Sequence, residues 1–201
     1  RPHPRFRRRR VASLMASQLW LVLGGVRSGK SAFAEKLARE MARPTLYVAT
    51  GLPTDAEMEE RIRRHRQSRP AGWTTIEGPL DLPGRVGAAC SSAEPPGSVL
   101  IESLDLWVSN MLLEHEGKTG PAVETMTLSA VNNLVVVIRR TEAAFFVVSG
   151  EVGLSLVPPE PLGRRFQDLL GLANQRVAAA ADRVYLVVAG IPTEIKGHGG
   201  P

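Results

Sequence analysis

The sequence predicts an α/β protein built on a mainly parallel sheet, and three features predict it. Short apolar runs alternate with longer amphipathic stretches, the pattern of strands joined by crossover helices. Runs such as Phe145-Phe-Val-Val148 and Val184-Tyr-Leu-Val-Val188 are apolar at successive positions, as strands covered on both faces require. A glycine-rich turn leaves the first apolar run and opens directly into a helix-forming stretch.

Taken in order, strands are expected near 19–23, 45–49, 73–76, 98–101, 145–149 and 184–188. Helices are expected near 30–42, 55–68, 104–116, 122–141 and 161–181. Asp55 stands where an acid caps the second helix, and Pro121 and Pro161 stand where a first helical turn tolerates proline. Gly117, Gly120 and Pro95-Pro96-Gly97 mark loops. There is no internal repeat and no convincing boundary, so residues 18–196 read as one domain between a disordered basic tail, 1–17, and a short disordered tail, 197–201.

A chain of 201 residues with 43% hydrophobic and 22% charged residues excludes a long disordered protein. It should bury roughly 70% of its unfolded surface without metal or disulfide staples. Cys90 is alone and cannot form an intrachain disulfide, and His3, His65, His115 and His198 lie too far apart to suggest a zinc ligand set. The longest apolar runs reach six residues, against roughly 20 for a bilayer crossing, so no membrane span and a cytoplasmic protein are expected. Five apolar residues, Leu19 to Leu23, broken by Gly24-Gly25 and Arg27, are also short for a secretory signal.

The net charge is +5, yet six of the 25 basic residues are arginines within positions 1–10. Without them the chain carries 19 basic against 20 acidic side chains, a net of −1. The basic character therefore belongs to the tail, read as a tag or an over-extended start ahead of Met15, and nucleic acid is not the expected partner.

The main chemical signal is Gly24-Gly25-Val26-Arg27-Ser28-Gly29-Lys30-Ser31, a full match to G-x-x-x-x-G-K-[ST] set between a strand and a helix. Successive N–H groups of such a loop and the positive helix end bind phosphate. Lys30 is expected to neutralise the β and γ phosphates, and Ser31 to supply a hydroxyl to Mg²⁺. The acid that completes the metal shell is expected at Glu102, which ends the apolar run Ser98-Val-Leu-Ile, with Asp105 as the substitute. In this setting the expected fold is a P-loop NTPase-like (RecA-type) three-layer sandwich.

His65 lies on the second helix among Arg61, Arg64, Arg66 and Arg69. Those surroundings leave two readings. One is a solvated helix residue; the other is a nucleophile whose neutral imidazole attacks phosphorus while the arginines hold a triphosphate. Glu151 ends a strand on the same sheet edge as Glu102 and is a further candidate for metal or substrate. Trp20, Trp73 and Trp107 read as core or interface residues, and the helix bearing Asn174-Gln175-Arg176 as a packed, alanine-rich one.

Beyond the phosphate loop the ordered motifs are Tyr47-Val-Ala-Thr50, Glu57-Met58 with Arg61-Ile62 and His65, Arg69-Pro70, Trp73-Thr74 with Glu77, Leu100 to Asn110, Glu151-Val-Gly153, Val157-Pro158, and Leu162-Gly-Arg-Arg-Phe166 through Asn174 to Asp182. Over about residues 19–196 the chain resembles the bifunctional adenosylcobinamide kinase / adenosylcobinamide-phosphate guanylyltransferase family of cobalamin biosynthesis. The resemblance implies phosphorylation of adenosylcobinamide with ATP or GTP, then transfer of GMP from GTP to give adenosylcobinamide-GDP and pyrophosphate. It implies a guanylyl-histidine at His65, nucleotide contacts at Ala49, Thr50, Gly51, Arg66, Gln67, Ser68, Arg69, Glu77 and Glu102, and a homotrimer. Three features depart from the family's pattern, one of them the lack of a common arginine in the helix at Gly171-Leu-Ala-Asn174. Gly150 stands where an asparagine is usual, removing an amide near substrate, and Ser155 stands where a glycine is usual, which matters if that position needs positive φ. Two other readings follow from those changes and from the basic tail: a kinase without guanylyl transfer, and a non-catalytic nucleotide-binding or RNA-associated module.

Overall fold

The computed structural model describes residues 17–197, with the side chains of Arg61 and Ser68 excepted. The expectations for residues 1–16 and 198–201 lie outside the described residues. Seven strands, β1 (Gln18–Gly24), β2 (Thr45–Ala49), β3 (Thr74–Glu77), β4 (Ser98–Glu102), β5 (Ala144–Gly150), β6 (Arg183–Val188) and β7 (Ile191–Lys196), form one sheet. Six helices are described: α1 (Lys30–Glu40), α2 (Ala56–Ser68), α3 (Leu82–Cys90), α4 (Leu104–Glu114), α5 (Gly120–Arg139) and α6 (Pro161–Ala180).

The strand order is β3-β2-β4-β5-β1-β6-β7, parallel throughout except for the antiparallel β6–β7 pair. Alternate side chains of each inner strand enter two separate cores. Leu21, Val99, Ile101, Phe145 and Val147 pack with α3, α4, α5 and α6 on one face, and Val22, Leu100, Phe146 and Val148 pack with α1 on the other. The three-layer α/β expectation is met. All seven residues of β5 are buried, which is why its sequence is apolar without alternation. Each large side chain sealed in this way stabilises the fold by about 1.5–3 kcal/mol.

Two elements lie outside the expectation. The stretch Leu82-Pro-Gly-Arg-Val-Gly-Ala-Ala-Cys90 has poor helix propensity, yet it forms α3. Asp81 accepts a hydrogen bond from the Gly84 N–H at 3.1 Å, and Leu82 and Val86, one turn apart, are fully buried. The packing and the cap outweigh the glycines. Strand β7 follows a two-residue turn, Ala189 (φ 51°) and Gly190 (φ 80°), and is exposed at all six positions, so no apolar alternation announces it. As an edge strand it tolerates Pro192.

Ser17, read from sequence as part of the tail, is buried, and its carbonyl accepts from Arg139 Nη1 at 3.0 Å. The same guanidinium pairs with Asp182, whose carboxylate accepts the Leu19 N–H at 2.7 Å, so the base of β1 is tied to α5 and β6. Helix α5 is the one described helix long and apolar enough to cross a membrane by length and composition. Its residues Val123, Thr127, Val131, Leu134 and Ile138 recur at helical spacing and are buried in the protein core.

Candidate functional site

The phosphate loop runs from the end of β1 into α1, at the carboxyl edge of the sheet where parallel α/β folds bind ligands. Gly24 leaves no room for a side chain: a Cβ there would meet the Ser28 hydroxyl and lie 2.8 Å from the Val187 carbonyl. Gly29 caps α1 with φ 93°, a conformation that favours glycine, and it makes no side-chain cap. The Lys30 N–H makes a long bond to Ser28 Oγ, 3.4 Å, and the next N–H groups of the first turn of α1 are placed to meet a ligand. Lys30 Nζ bends back to the Gly25 carbonyl at 3.3 Å, and Arg27 is exposed with φ 55°. The loop has a brace that the sequence did not announce: the Gly190 N–H, in the β6–β7 turn, donates to the Ser28 carbonyl at 2.8 Å.

Two strands from β1, with β5 between, β4 delivers Glu102 to the same edge. Ser31 Oγ donates to Glu102 Oε1 at 2.6 Å, while Glu102 Oε2 is buried without a hydrogen-bond partner. Burial pushes the Glu102 carboxyl up to about 7; the Asp105 charge adds to the rise, and the Ser31 hydroxyl and Lys30 oppose it.

That shift has a sign that can be tested on the nucleotide-free protein. Its stabilising contribution is full below the ordinary value of 4.5 and is lost as the pH rises toward about 7. Glu102→Gln should therefore gain on the wild type across that window, by up to about 3 kcal/mol at about 1.4 kcal/mol per pH unit, and then level off. Urea unfolding of both proteins at a series of pH values measures it; a constant difference would contradict the burial.

Among its described side chains helix α2 contributes none to either core. Asp55 caps it by accepting the Met58 N–H at 2.8 Å. Met58, Ile62, His65, Arg66 and Arg69 follow one helical face and line a cleft of about 490 Å³, together with Lys30, Ser31 and Glu102. The helix thus forms the wall opposite the phosphate loop. Arg66 pairs with Glu77 from the end of β3, and both line the cleft. Beneath them the Arg69 guanidinium stacks 3.8 Å from the centre of the Tyr47 ring, and burial raises the Tyr47 hydroxyl above its usual range.

Of the expected site residues, Val26, Lys30, Ser31, Ala49, Gly51, His65, Arg66, Arg69, Glu77 and Glu102 line this one cleft. Gln67 is exposed on α2 and does not line it. Thr50 stands behind the wall: its hydroxyl donates to the Ser103 carbonyl at 2.7 Å, its N–H to Glu102, and its carbonyl accepts from Asn110 Nδ2 at 2.7 Å. It braces the ends of β2 and β4. Glu151 turns onto the Gly153 N–H at 2.7 Å and does not line the cleft. Sequence reasoning gave no role to the Tyr47–Arg69 stack or to the apolar lining from Met58, Ile62 and Leu106. The helical spacing of 58, 62 and 65 was the available signal for α2.

Asn174, on α6, accepts from Ser149 Oγ at 2.7 Å and donates to the Gly150 carbonyl at 3.0 Å, holding the end of β5. Ser155 has no positive φ, and its hydroxyl closes onto the Val152 carbonyl at 2.6 Å. Serine is therefore accommodated there without backbone strain. Trp107 is fully buried, its Nε1 donating to the Leu80 carbonyl at 2.7 Å, and Trp73 packs on Tyr47.

Residues 20–195 match the family described as cobinamide kinase / cobinamide phosphate guanyltransferase. The chain is 38% identical over 182 residues to the bifunctional adenosylcobalamin biosynthesis protein CobU of Escherichia coli, an alignment covering 88% of this chain and 98% of that one. It is 39% identical to the CobU protein of Salmonella typhimurium over the same shares of the two chains. The bifunctional adenosylcobalamin biosynthesis protein CobP of Pseudomonas aeruginosa is 38% identical, with 89% of this chain and 97% of that one aligned.

Proposed function

The chain belongs to the cobinamide kinase / cobinamide phosphate guanyltransferase family of cobalamin biosynthesis, and from that premise we propose that a single cleft performs both of its phosphorus displacements. The observation that carries this reading is that His65 and the phosphate-loop residues Lys30 and Ser31 line the same cavity. One triphosphate seated on the loop would present its γ-phosphorus to a corrinoid hydroxyl and its α-phosphorus to the imidazole.

In the kinase step the hydroxyl of adenosylcobinamide attacks the γ-phosphorus of ATP or GTP, and the nucleoside diphosphate leaves. The amides of Gly25 to Ser31 and the Lys30 ammonium hold the phosphates and stabilise charge on the transferring group. In the second reaction a His65 nitrogen attacks the α-phosphorus of GTP and pyrophosphate leaves. The phosphate of adenosylcobinamide-phosphate then displaces the histidine, giving adenosylcobinamide-GDP. Arg66 and Arg69 hold the nucleotide from α2, with Ala49, Gly51 and Glu77 below; Gln67 and Ser68 belong to the same segment, and Thr50 acts by bracing it.

Mg²⁺ fits the residues present. Ser31 Oγ and the buried, unpartnered Glu102 Oε2 are hard oxygen donors at the phosphate loop. Among the described residues there is no cluster of three His, Cys, Asp or Glu that could cage a metal, as suits an ion that takes its other ligands from phosphates and water. Bound there, Mg²⁺ would neutralise phosphate charge. The reading includes one domain over residues 18–196, a cytoplasmic location and a homotrimer. The exposed apolar residues Leu154, Leu156 and Val157 support such assembly.

Mass spectrometry of the corrinoid product tests the proposal. With ATP alone the product should stop at the phosphate; with GTP it should advance to the GDP conjugate. A product that stops at the phosphate in GTP would favour a kinase alone, and no product from protein that binds nucleotide would favour a binding module.

A further inference from the structure

Gly150 ends β5 and stands in register beside Gly24, where the phosphate loop begins. The space in front of it is filled. A Cβ at this position would lie 3.0 Å from Asp105 Oδ2 and 3.5 Å from its Cγ. The carboxylate that approaches Gly150 comes from the first turn of α4. Asp105 lines the cleft beside Lys30 and Ser31, and its Oδ1 is buried without a hydrogen-bond partner.

Glu77 pairs with Arg66 and Glu151 holds the Gly153 N–H, while Glu102, whose Oε1 accepts from Ser31 and whose Oε2 has no partner, is the acid placed at Mg²⁺. Asp105 lines the same cleft as the phosphate loop and carries one buried acceptor atom without a donor, a condition that costs about 1–3 kcal/mol. A ligand hydroxyl arriving there would remove that cost.

We propose that Asp105 receives the acceptor hydroxyl of the corrinoid in the kinase step, on the reading that the phosphate loop carries that step. Its carboxylate accepts the hydroxyl hydrogen and aims the oxygen at the γ-phosphorus. As the new O–P bond forms, the bond from the γ-phosphorus to the β–γ bridging oxygen breaks and the nucleoside diphosphate leaves with that electron pair. The hydroxyl proton passes to Asp105 and then to solvent. Gly150 is the complement of this arrangement, because a Cβ there would crowd the carboxylate at 3.0 Å from Oδ2.

Asp105→Asn and Asp105→Ala test the assignment, with two rates followed in each: phosphorylation of cobinamide by ATP, and covalent labelling of the protein by GTP carrying its label on the α phosphate. The expected result is a kinase kcat lower by about 10²–10³-fold, KM for ATP changed by less than about threefold, and labelling at the wild-type rate. The isosteric asparagine variant guards against a folding defect in the alanine variant. Gly150→Ala, which leaves Asp105 intact but crowds it, should lower the kinase rate in the same selective way. Kinase rates within about threefold of the wild type, or parallel loss of both reactions, would overturn the assignment. A wild-type protein that does not phosphorylate cobinamide would overturn the reading beneath it, whereas an active wild type with insensitive Asp105 variants would sink Asp105 alone.

Discussion

His65→Ala is expected to abolish guanylyl transfer while leaving phosphorylation of the corrinoid largely in place. His65 sits on the cleft-facing side of α2, in line with Met58 and Ile62. Among the described residues no other histidine lines that cavity. Removing a covalent nucleophile should cost about 10³-fold or more in the guanylylation rate. Formation of phosphorylated corrinoid from ATP should stay within about fivefold, because transfer from the γ-phosphorus uses the phosphate loop and not the imidazole. Chromatographic separation of the phosphorylated and GDP-linked corrinoids measures both rates in one assay. Equal loss of the two would mean that the alanine disturbs the cleft as a whole; continued guanylylation would remove His65 from the chemistry.

Lys30→Ala should behave in the opposite way and depress both reactions. Lys30 opens α1 immediately after the αL glycine and lines the cleft that contains His65. If one triphosphate serves both steps, the ammonium stabilises the transferring phosphoryl group in the first reaction and the leaving pyrophosphate in the second. A loss of about 10²–10³-fold in each kcat is expected, the size found when one preorganised donor to a developing negative charge is removed. The stability of the folded protein should change little, since Lys30 is only half-buried and its one internal side-chain bond, to the Gly25 carbonyl, is 3.3 Å long. Kinase loss with labelling of His65 at the wild-type rate would require a second triphosphate site away from the loop.

The parts of the site written in local sequence were legible. The phosphate loop carries its conformation in Gly24 and Gly29, and a loop between an apolar run and a helix could be placed without three-dimensional information. Glu102 was found by the same reasoning, as the polar end of a buried strand. The sheet was readable because its inner strands are buried on both faces; the exposed edge strand β7 carried no such signal. Helix α3 was hidden for a different reason: its stability comes from burying Leu82 and Val86 against the core, which no propensity records. Thr50 was assigned to the nucleotide by motif, yet its polar groups hold Ser103, Glu102 and Asn110, partners about 50–60 residues away in sequence. Such long-range bonds are invisible to spacing rules. The fit between Asp105 and Gly150 is of the same kind, because it depends on two strand ends meeting at the sheet edge.

The claim that one cleft passes GMP through His65 is tested most directly by incubating the wild-type protein with GTP labelled on the α phosphate, denaturing it and mapping the label. A phosphoramidate at histidine survives base and hydrolyses in acid. The expected result is one base-stable, acid-labile label on the peptide that contains His65, discharged when phosphorylated corrinoid is added before denaturation. Folded protein that binds GTP yet takes up no label, or carries it on a different residue, would contradict the account.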